Sequence, residues 1–215
     1  EKRIRARAGV ILCSGGFARD AEARRRLHNM DAAMSSASPD DTGEVIRMAQ
    51  DIGAMTELSQ DAWWTSAFAT PEGPPSPPHF ERSVPFSPCV GSDGKRFTNE
   101  SFDYYRFTRA MVERGGEPVW LIFDARHRKR YPFQGLMPGA APKAMIASGF
   151  LKTASSLAEL SRICGIDQVN LLVTVERFNR FAETGTAKDF LRGDTRSDRL
   201  WGVPRQKLNP NLGPV

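Results

Sequence analysis

Residues 156–185 read SLAELSRICGIDQVNLLVTVERFNRFAETG, and their punctuation predicts two helices joined by a tight corner. Ser156 followed by Glu159 forms a capping box. Leu157, Leu160 and Cys164 fall on one face, and Gly165 supplies the stop. Asp167 caps a second, longer helix whose apolar stripe is Leu171, Val175, Phe178 and Ala182, closed by Gly185. Such a helix hairpin is a packing unit and carries no chemistry by itself.

Upstream of it the signals are those of strands. Pro118-Val119-Trp120-Leu121-Ile122-Phe123-Asp124 predicts a buried strand, and residues 89–97 (CVGSDGKRF) predict a hairpin turning on Ser92-Asp93-Gly94. Seven of the fifteen prolines lie in residues 71–88, so that stretch is expected to be a long extended loop or domain crossing without helix or central strand. Near the start, residues 3–12 (RIRARAGVIL) alternate and then run apolar through Cys13 to Gly15-Gly16. That pattern predicts a strand buried on both faces and ending in a glycine turn. Asp20 caps a short helix over 21–27. A second helix over 42–52 places Val45, Met48, Ala49 and Ile52 on one stripe and stops at Gly53. The tail Asn209-Pro-Asn-Leu-Gly-Pro-Val is expected to leave the domain extended. The fold class that results is α+β.

Composition narrows the function. The 215 residues are 40% hydrophobic and 26% charged, with thirteen Phe and four Trp to bury, which excludes a disordered chain. No stretch approaches the ~20 uninterrupted apolar residues of a membrane span. The opening EKRIRARAGVIL has no signal-peptide pattern and no initiator Met, so the chain is expected to begin inside its gene. Three distant cysteines (Cys13, Cys89, Cys164) give neither a disulfide framework nor metal spacing, which points to a reducing cytoplasm. The net charge of +5 rests mainly on arginines scattered among acids. The densest run, Arg126-His127-Arg128-Lys129-Arg130, has no interleaved aromatic platform and reads as a solvated face, so no nucleic-acid partner is expected.

Catalytic motifs are sparse. GxSxG, GxGxxG and GxxxxGK[ST] are all absent from these residues, and His28, His79 and His127 lack a His or Cys partner at i+3 or i+4. The histidines read as surface or loop residues, and no metal is expected. Two features remain. The turn Ser14-Gly15-Gly16 lets backbone approach a ligand closely, or is a plain tight turn. The cluster Phe97-Thr98-Asn99-Glu100-Ser101-Phe102-Asp103-Tyr104-Tyr105-Arg106-Phe107 lines a polar site, or supplies core tyrosines.

A resemblance bears on both. The succession VILCSGGF, GEVIRMAQDIGA, DAWW, FERSVPFSPCVGSDGKRFTNESFDYYRF, VWLIFDARHRKRYPF, LLVTVERFNRFAETGTAKDFLRGD and NPNLGPV is similar, in order and over nearly the whole chain, to the FAD-dependent 3-ketosteroid dehydrogenases. These lie within the larger fumarate reductase/succinate dehydrogenase flavoprotein group. The resemblance implies that residues 1–62 end the first FAD-binding segment, 63–206 form a substrate-binding cap domain, and 207–215 begin the return to the FAD domain. It implies FAD as cofactor, with most of its site outside this chain, so that the chain alone is expected not to turn over. A steroid-like small molecule is the implied substrate, and the electron acceptor is left open.

Position by position, Ser14, Gly15 and Gly16 match the glycine turn against the adenosine side of FAD. Tyr104 matches the tyrosine that takes a proton from substrate carbon while a hydride passes to flavin N5. A phenol, titrating near ~10 when free, suits this role if positive neighbours lower that value. Arg82, Arg96 and Arg106 are near in sequence. Phe80 falls where the family presents an apolar wall to the steroid. Two departures stand out: Tyr105 replaces the Asp usual after the catalytic tyrosine, and the loop before the second helix reads Asp41-Thr42-Gly43-Glu44. Two rival readings are a fumarate-reductase-like enzyme for small dicarboxylates, needing converging cations, and a non-enzymatic basic binding module.

Overall fold

The computed structural model describes residues 4–57, 59–69, 76–116 and 118–215. By its internal contacts the chain divides into two units, Glu1–Ala62 and Trp63–Val215.

In the first unit, helix α1 spans Ala21–His28, a 3₁₀ turn Ala32–Met34, and helix α2 Glu44–Asp51. Asp20 caps α1 by accepting from the Ala23 amide at 3.0 Å, and Asn29, left-handed at φ 52°, ends it. Helix α2 starts from Gly43 at φ 75°, where an added Cβ would meet the Phe17 Cβ at 2.8 Å. Its expected apolar stripe faces outward: Met48 is 64% and Ile52 87% exposed. The strand expected over residues 3–12 is not formed in the described part. Residues 4–13 carry no strand, and Ile11 is 89% exposed. A strand buried on both faces needs a neighbour on each edge, and the described residues of this unit contain no strand to pair with.

The second unit holds helices α3 (His79–Ser83), α4 (Tyr104–Glu113), α5 (Ala125–Arg130), α6 (Lys143–Ala147), α7 (Leu157–Cys164), α8 (Gln168–Thr184) and α9 (Arg196–Leu200). Its two short strands, β1 (Cys89–Val90) and β2 (Trp120–Leu121), pair antiparallel with Val90 opposite Trp120. The helix hairpin forms as read. Ser156 accepts from the Glu159 amide at 3.1 Å, Asp167 accepts from the Asn170 amide at 2.8 Å, and Gly165 and Gly185 are left-handed. Leu171, Val175 and Phe178 are buried. Val90, Ile122, Ile166, Leu171 and Val175 form one apolar core, with Leu157, Leu160 and Cys164 packed on it.

Four expectations need correction. The turn at Ser92-Asp93-Gly94 exists, with the Gly94 amide on the Gly91 carbonyl at 3.0 Å and the Gly91 amide on the Lys95 carbonyl at 3.1 Å, but no second strand follows it and β1 pairs with β2. The turn is held from outside: Asp167 N–H donates to the Ser92 carbonyl at 2.8 Å and seats it at the start of α8. The proline-rich stretch, of which 71–75 lie outside the described residues, does contain a helix. The five-residue α3 fits between Pro78 and Pro85, where neither proline interrupts an interior bond. The basic run is not wholly solvated, because it forms α5 with His127 and Arg128 buried. Arg128 donates to the carbonyls of Tyr131, Met137 and Ala140, groups that water would otherwise serve. Finally, the tail stays packed, with Asn211 and Leu212 at most 1% exposed. Asn211 donates to the carbonyls of Ser83 and Asp198, anchoring it. No helix among the described residues is long and apolar enough to cross a membrane.

Candidate functional site

The loop that delivers Tyr104 is fixed by buried charge. Glu100 has no exposed surface, and its carboxylate accepts from Arg96 Nε at 2.7 Å, Arg96 Nη2 at 2.6 Å and the Cys89 amide at 3.0 Å, with Arg192 Nη1 at 3.1 Å. Burial by itself raises a carboxyl pKa. Here Arg96 and Arg192 overcome it and hold Glu100 down at about 2. Arg96 also grips Asp189 through two 2.8 Å bonds, and these carboxylates keep its guanidinium charged despite burial. Cys89, sealed beside Glu100, is pushed up to about 12 by burial and then by that carboxylate, so it is an inert thiol. Asn99 donates to Asp198 Oδ2 at 2.9 Å and accepts from the Ser101 amide at 2.8 Å. Asn99 and Glu100 are therefore staples tying residues 97–103 to a partner segment ninety residues away.

From that anchor Asp103 caps α4 by accepting from the Arg106 amide at 3.0 Å, and Tyr104 is the first residue of the helix. Its side is 39% exposed, its carbonyl accepts from Thr108 Oγ1 at 2.7 Å, and its ring lies 5.5 Å from that of His79 at 54°. Arg82, on the same helix as His79, donates to the carbonyls of Glu100 and Phe102 and covers the Phe107 ring at 4.4 Å. Its Nη2 stands 3.4 Å from His79 Nδ1. Burial, then Arg82, lowers the His79 pKa, so its imidazole is neutral beside the phenol at pH 7. Of the three arginines near Tyr104 in sequence, Arg96 is taken by Glu100 and Asp189, and Arg106 pairs with Asp103 at 3.5 Å. Arg82 alone lies against the Tyr104–His79 pair. Phe80 follows His79 on α3 but turns its ring to Tyr131, 6.3 Å away, and packs on Val84 and Phe86.

In the first unit, Ser14 and Gly15 are exposed and Gly16 half-buried. Gly15 sits at φ 84°, with the Asp41 carboxylate in the space a Cβ would take, while nothing lies within 4 Å of the corresponding space at Gly16. The Gly16 carbonyl accepts from the Gly43 amide at 2.9 Å, joining this turn to Asp41-Thr42-Gly43. The second unit also holds a half-open cavity of about 800 Å³ walled by Trp120, Phe123, Phe133, Phe150 and Leu160. Among the described residues no group of three His, Cys, Asp or Glu side chains is placed to hold a metal.

Residues 1–214 match the model of the FAD binding domain family. The chain belongs to this family. Within it, the chain is 39% identical to a 3-oxosteroid 1-dehydrogenase of Mycobacterium tuberculosis strain H37Rv, over 99% of its own length and 40% of that protein's. It superposes with a TM-score of 0.85 and 36% identity on a 3-ketosteroid Δ1-dehydrogenase from Sterolibacterium denitrificans solved with 1,4-androstadiene-3,17-dione, covering 94% of this chain and 38% of that one. A fumarate reductase (cytochrome) of Shewanella frigidimarina is 27% identical over 85% of this chain and 30% of its own length. The chain thus spans about 40% of the length of the 3-oxosteroid dehydrogenase it matches.

Much of what holds this FAD binding domain family member together escapes sequence reasoning. Arg192 is wholly buried and donates to the carbonyls of Arg82, Val84 and Ser87 as well as meeting Glu100. Asp198 accepts from the Gly193 amide at 3.0 Å, and Asn209 donates to the Arg192 carbonyl at 2.9 Å. The one signal was the run Arg192-Gly193-Asp194, which has no helical or strand periodicity. The histidines also depart from the surface-or-loop reading. His127 is fully buried between Phe123 and Tyr131, His79 is half-buried on α3, and His28 on α1 contacts Arg24 at 2.7 Å and the Ser59 carbonyl. Each also has a neighbour distant in sequence: the Glu81 carbonyl for His127, the Tyr104 ring for His79 and the Ser59 carbonyl for His28.

Proposed function

We propose that this chain carries the substrate side of an FAD-dependent dehydrogenase of the 3-ketosteroid type, which oxidises a CH–CH bond next to a ketone. Residues 1–62 belong to the FAD-binding portion, 63–206 to the substrate-binding cap, and 207–215 to the path back. The observation that carries this reading is Tyr104, a phenol open to solvent on a helix start locked by buried ion pairs.

Ser14, Gly15 and Gly16 fit FAD as a backbone contact. The turn is exposed, and open space lies over Gly16, so a flat group can approach the main chain without meeting a side chain. Bound there, FAD would supply the two-electron acceptor. The proton is this chain's own task. The Tyr104 hydroxyl oxygen is the group proposed to take it from the carbon next to the ketone, whose acidity the carbonyl provides. The buried loop beneath Tyr104 keeps the phenol in one place, so little ordering is left to the moment of reaction. Phe80 sits on α3 beside His79, half-buried against Tyr131, and is proposed to give the substrate an apolar edge there. The buried arginines of this unit, Arg82, Arg96, Arg128 and Arg192, are taken by carbonyls and carboxylates of the fold.

The test is substrate class in the full-length flavoprotein. Dye-linked dehydrogenation of 4-androstene-3,17-dione is expected, with no fumarate reduction. Fumarate reduction without ketosteroid oxidation would overturn the reading.

A further inference from the structure

The cavity of the second unit plays no part in the reading above, since none of Tyr104, His79 and Phe80 lines it. Trp120, Leu160 and Cys164 pack on the apolar core with one side and face this space with the other. The opposite wall is aromatic: Phe68, Phe133 and Phe150 meet one another at 5.6, 5.7 and 6.4 Å between ring centroids. At about 800 Å³ the cavity falls within the range of small-molecule pockets, about 300–1,000 Å³.

The polar groups on its wall are nearly all spent. Asp124 caps α5 and pairs with Arg126, and both Nη atoms of Arg128 serve backbone carbonyls. Ser155 donates to the Glu159 carboxylate, and Ser156 caps α7. Lys152 differs: it lines the cavity, is exposed, and its ammonium has neither a carbonyl nor a carboxylate partner among the described residues. An apolar, ring-walled space with two cations unmatched by carboxylates, the buried Arg128 held by three carbonyls and the exposed Lys152 free to turn to a ligand, complements a molecule that is apolar along its body and anionic at one end.

We infer that this cavity is a second small-molecule site, taking a rigid apolar carboxylate with its acid group at Lys152. Removing the ligand's ring system from water supplies the affinity, and the ammonium fixes its direction. The site is independent of Tyr104 and stands whether or not Tyr104 is a base.

The test uses deoxycholate below its micellar concentration as probe, titrated into the full chain by calorimetry and by tryptophan fluorescence. Saturable one-to-one binding is expected, with a fluorescence change that is lost in Trp120→Phe. Lys152→Glu, an exposed change that leaves the core alone, is expected to weaken deoxycholate about tenfold by replacing attraction with repulsion. Tyr104→Phe is expected to leave deoxycholate binding as it was. Absence of saturable binding would overturn the inference, as would binding indifferent to Lys152→Glu. Loss of binding in Tyr104→Phe would also overturn it, by placing the probe at the other site.

Discussion

Glu100 shows how a single buried carboxylate sets the pH behaviour of the fold. Its pKa lies at about 2 in the folded chain against an ordinary value near 4.5, so the folded state binds fewer protons than the unfolded one between these values. Its contribution is complete above about pH 4.5 and is lost as pH falls through about 2. His127 adds an earlier step. Burial lowers its pKa to about 4, so it contributes fully above about pH 6.5 and loses that contribution as pH falls toward 4. Burial lowers His28 and His79 as well, so acid denaturation followed by circular dichroism should begin below pH 6.5, and His127→Phe should lessen the upper part of the decline without abolishing it. A decline that begins only below pH 4 in the unaltered chain would contradict this. Glu100→Gln leaves Arg96 and Arg192 facing a neutral amide in a dry site, and is expected to cost about 3–5 kcal/mol in urea denaturation. A cost under 1 kcal/mol would show that the network tolerates an uncompensated charge.

Helix ends were legible because caps are local chemistry, and strands were not because they are made by partners. Asp20, Ser156 and Asp167 sit at the start of their helices, and Gly165 and Gly185 at the end, as a reading of adjacent residues predicts. Val10-Ile11-Leu12 and Cys89-Val90 look equally strand-like, yet only the second pair finds a neighbour, and that neighbour is thirty residues on at Trp120-Leu121. The glycine of the expected hairpin has another task. Gly94, at φ 70°, lies where an added Cβ would meet the Asp167 carbonyl and the Leu171 amide at 2.6 Å. Gly94→Ala should therefore cost roughly 2–3 kcal/mol through strain and a displaced start to α8. Asp103→Ala, which removes the cap of α4 and the exposed pair with Arg106, should cost about 1 kcal/mol. Equal effects of the two would contradict the docking of this turn on α8.

At the scale of the whole molecule, the sequence made the helices and the family resemblance readable, but not the buried bonds linking residues 82–100 to 189–211. Those bonds join side chains about a hundred positions apart, such as Asn99 with Asp198 and Arg192 with Ser87, and no local pattern encodes them. They fix the loop that leads into α4, where Tyr104, the proposed base, begins the helix. The 215 residues contain no GxGxxG, so mixed with FAD alone they are expected to yield no stable yellow complex. The measurement that tests the central claim is made in the full-length flavoprotein, comparing the unaltered protein with Tyr104→Phe. Flavin content and dye-linked dehydrogenation of 4-androstene-3,17-dione are read on the same samples. The account predicts unchanged flavin with turnover reduced about 10²–10⁴-fold. Retained turnover at full flavin content would contradict it and remove Tyr104 from the role of base.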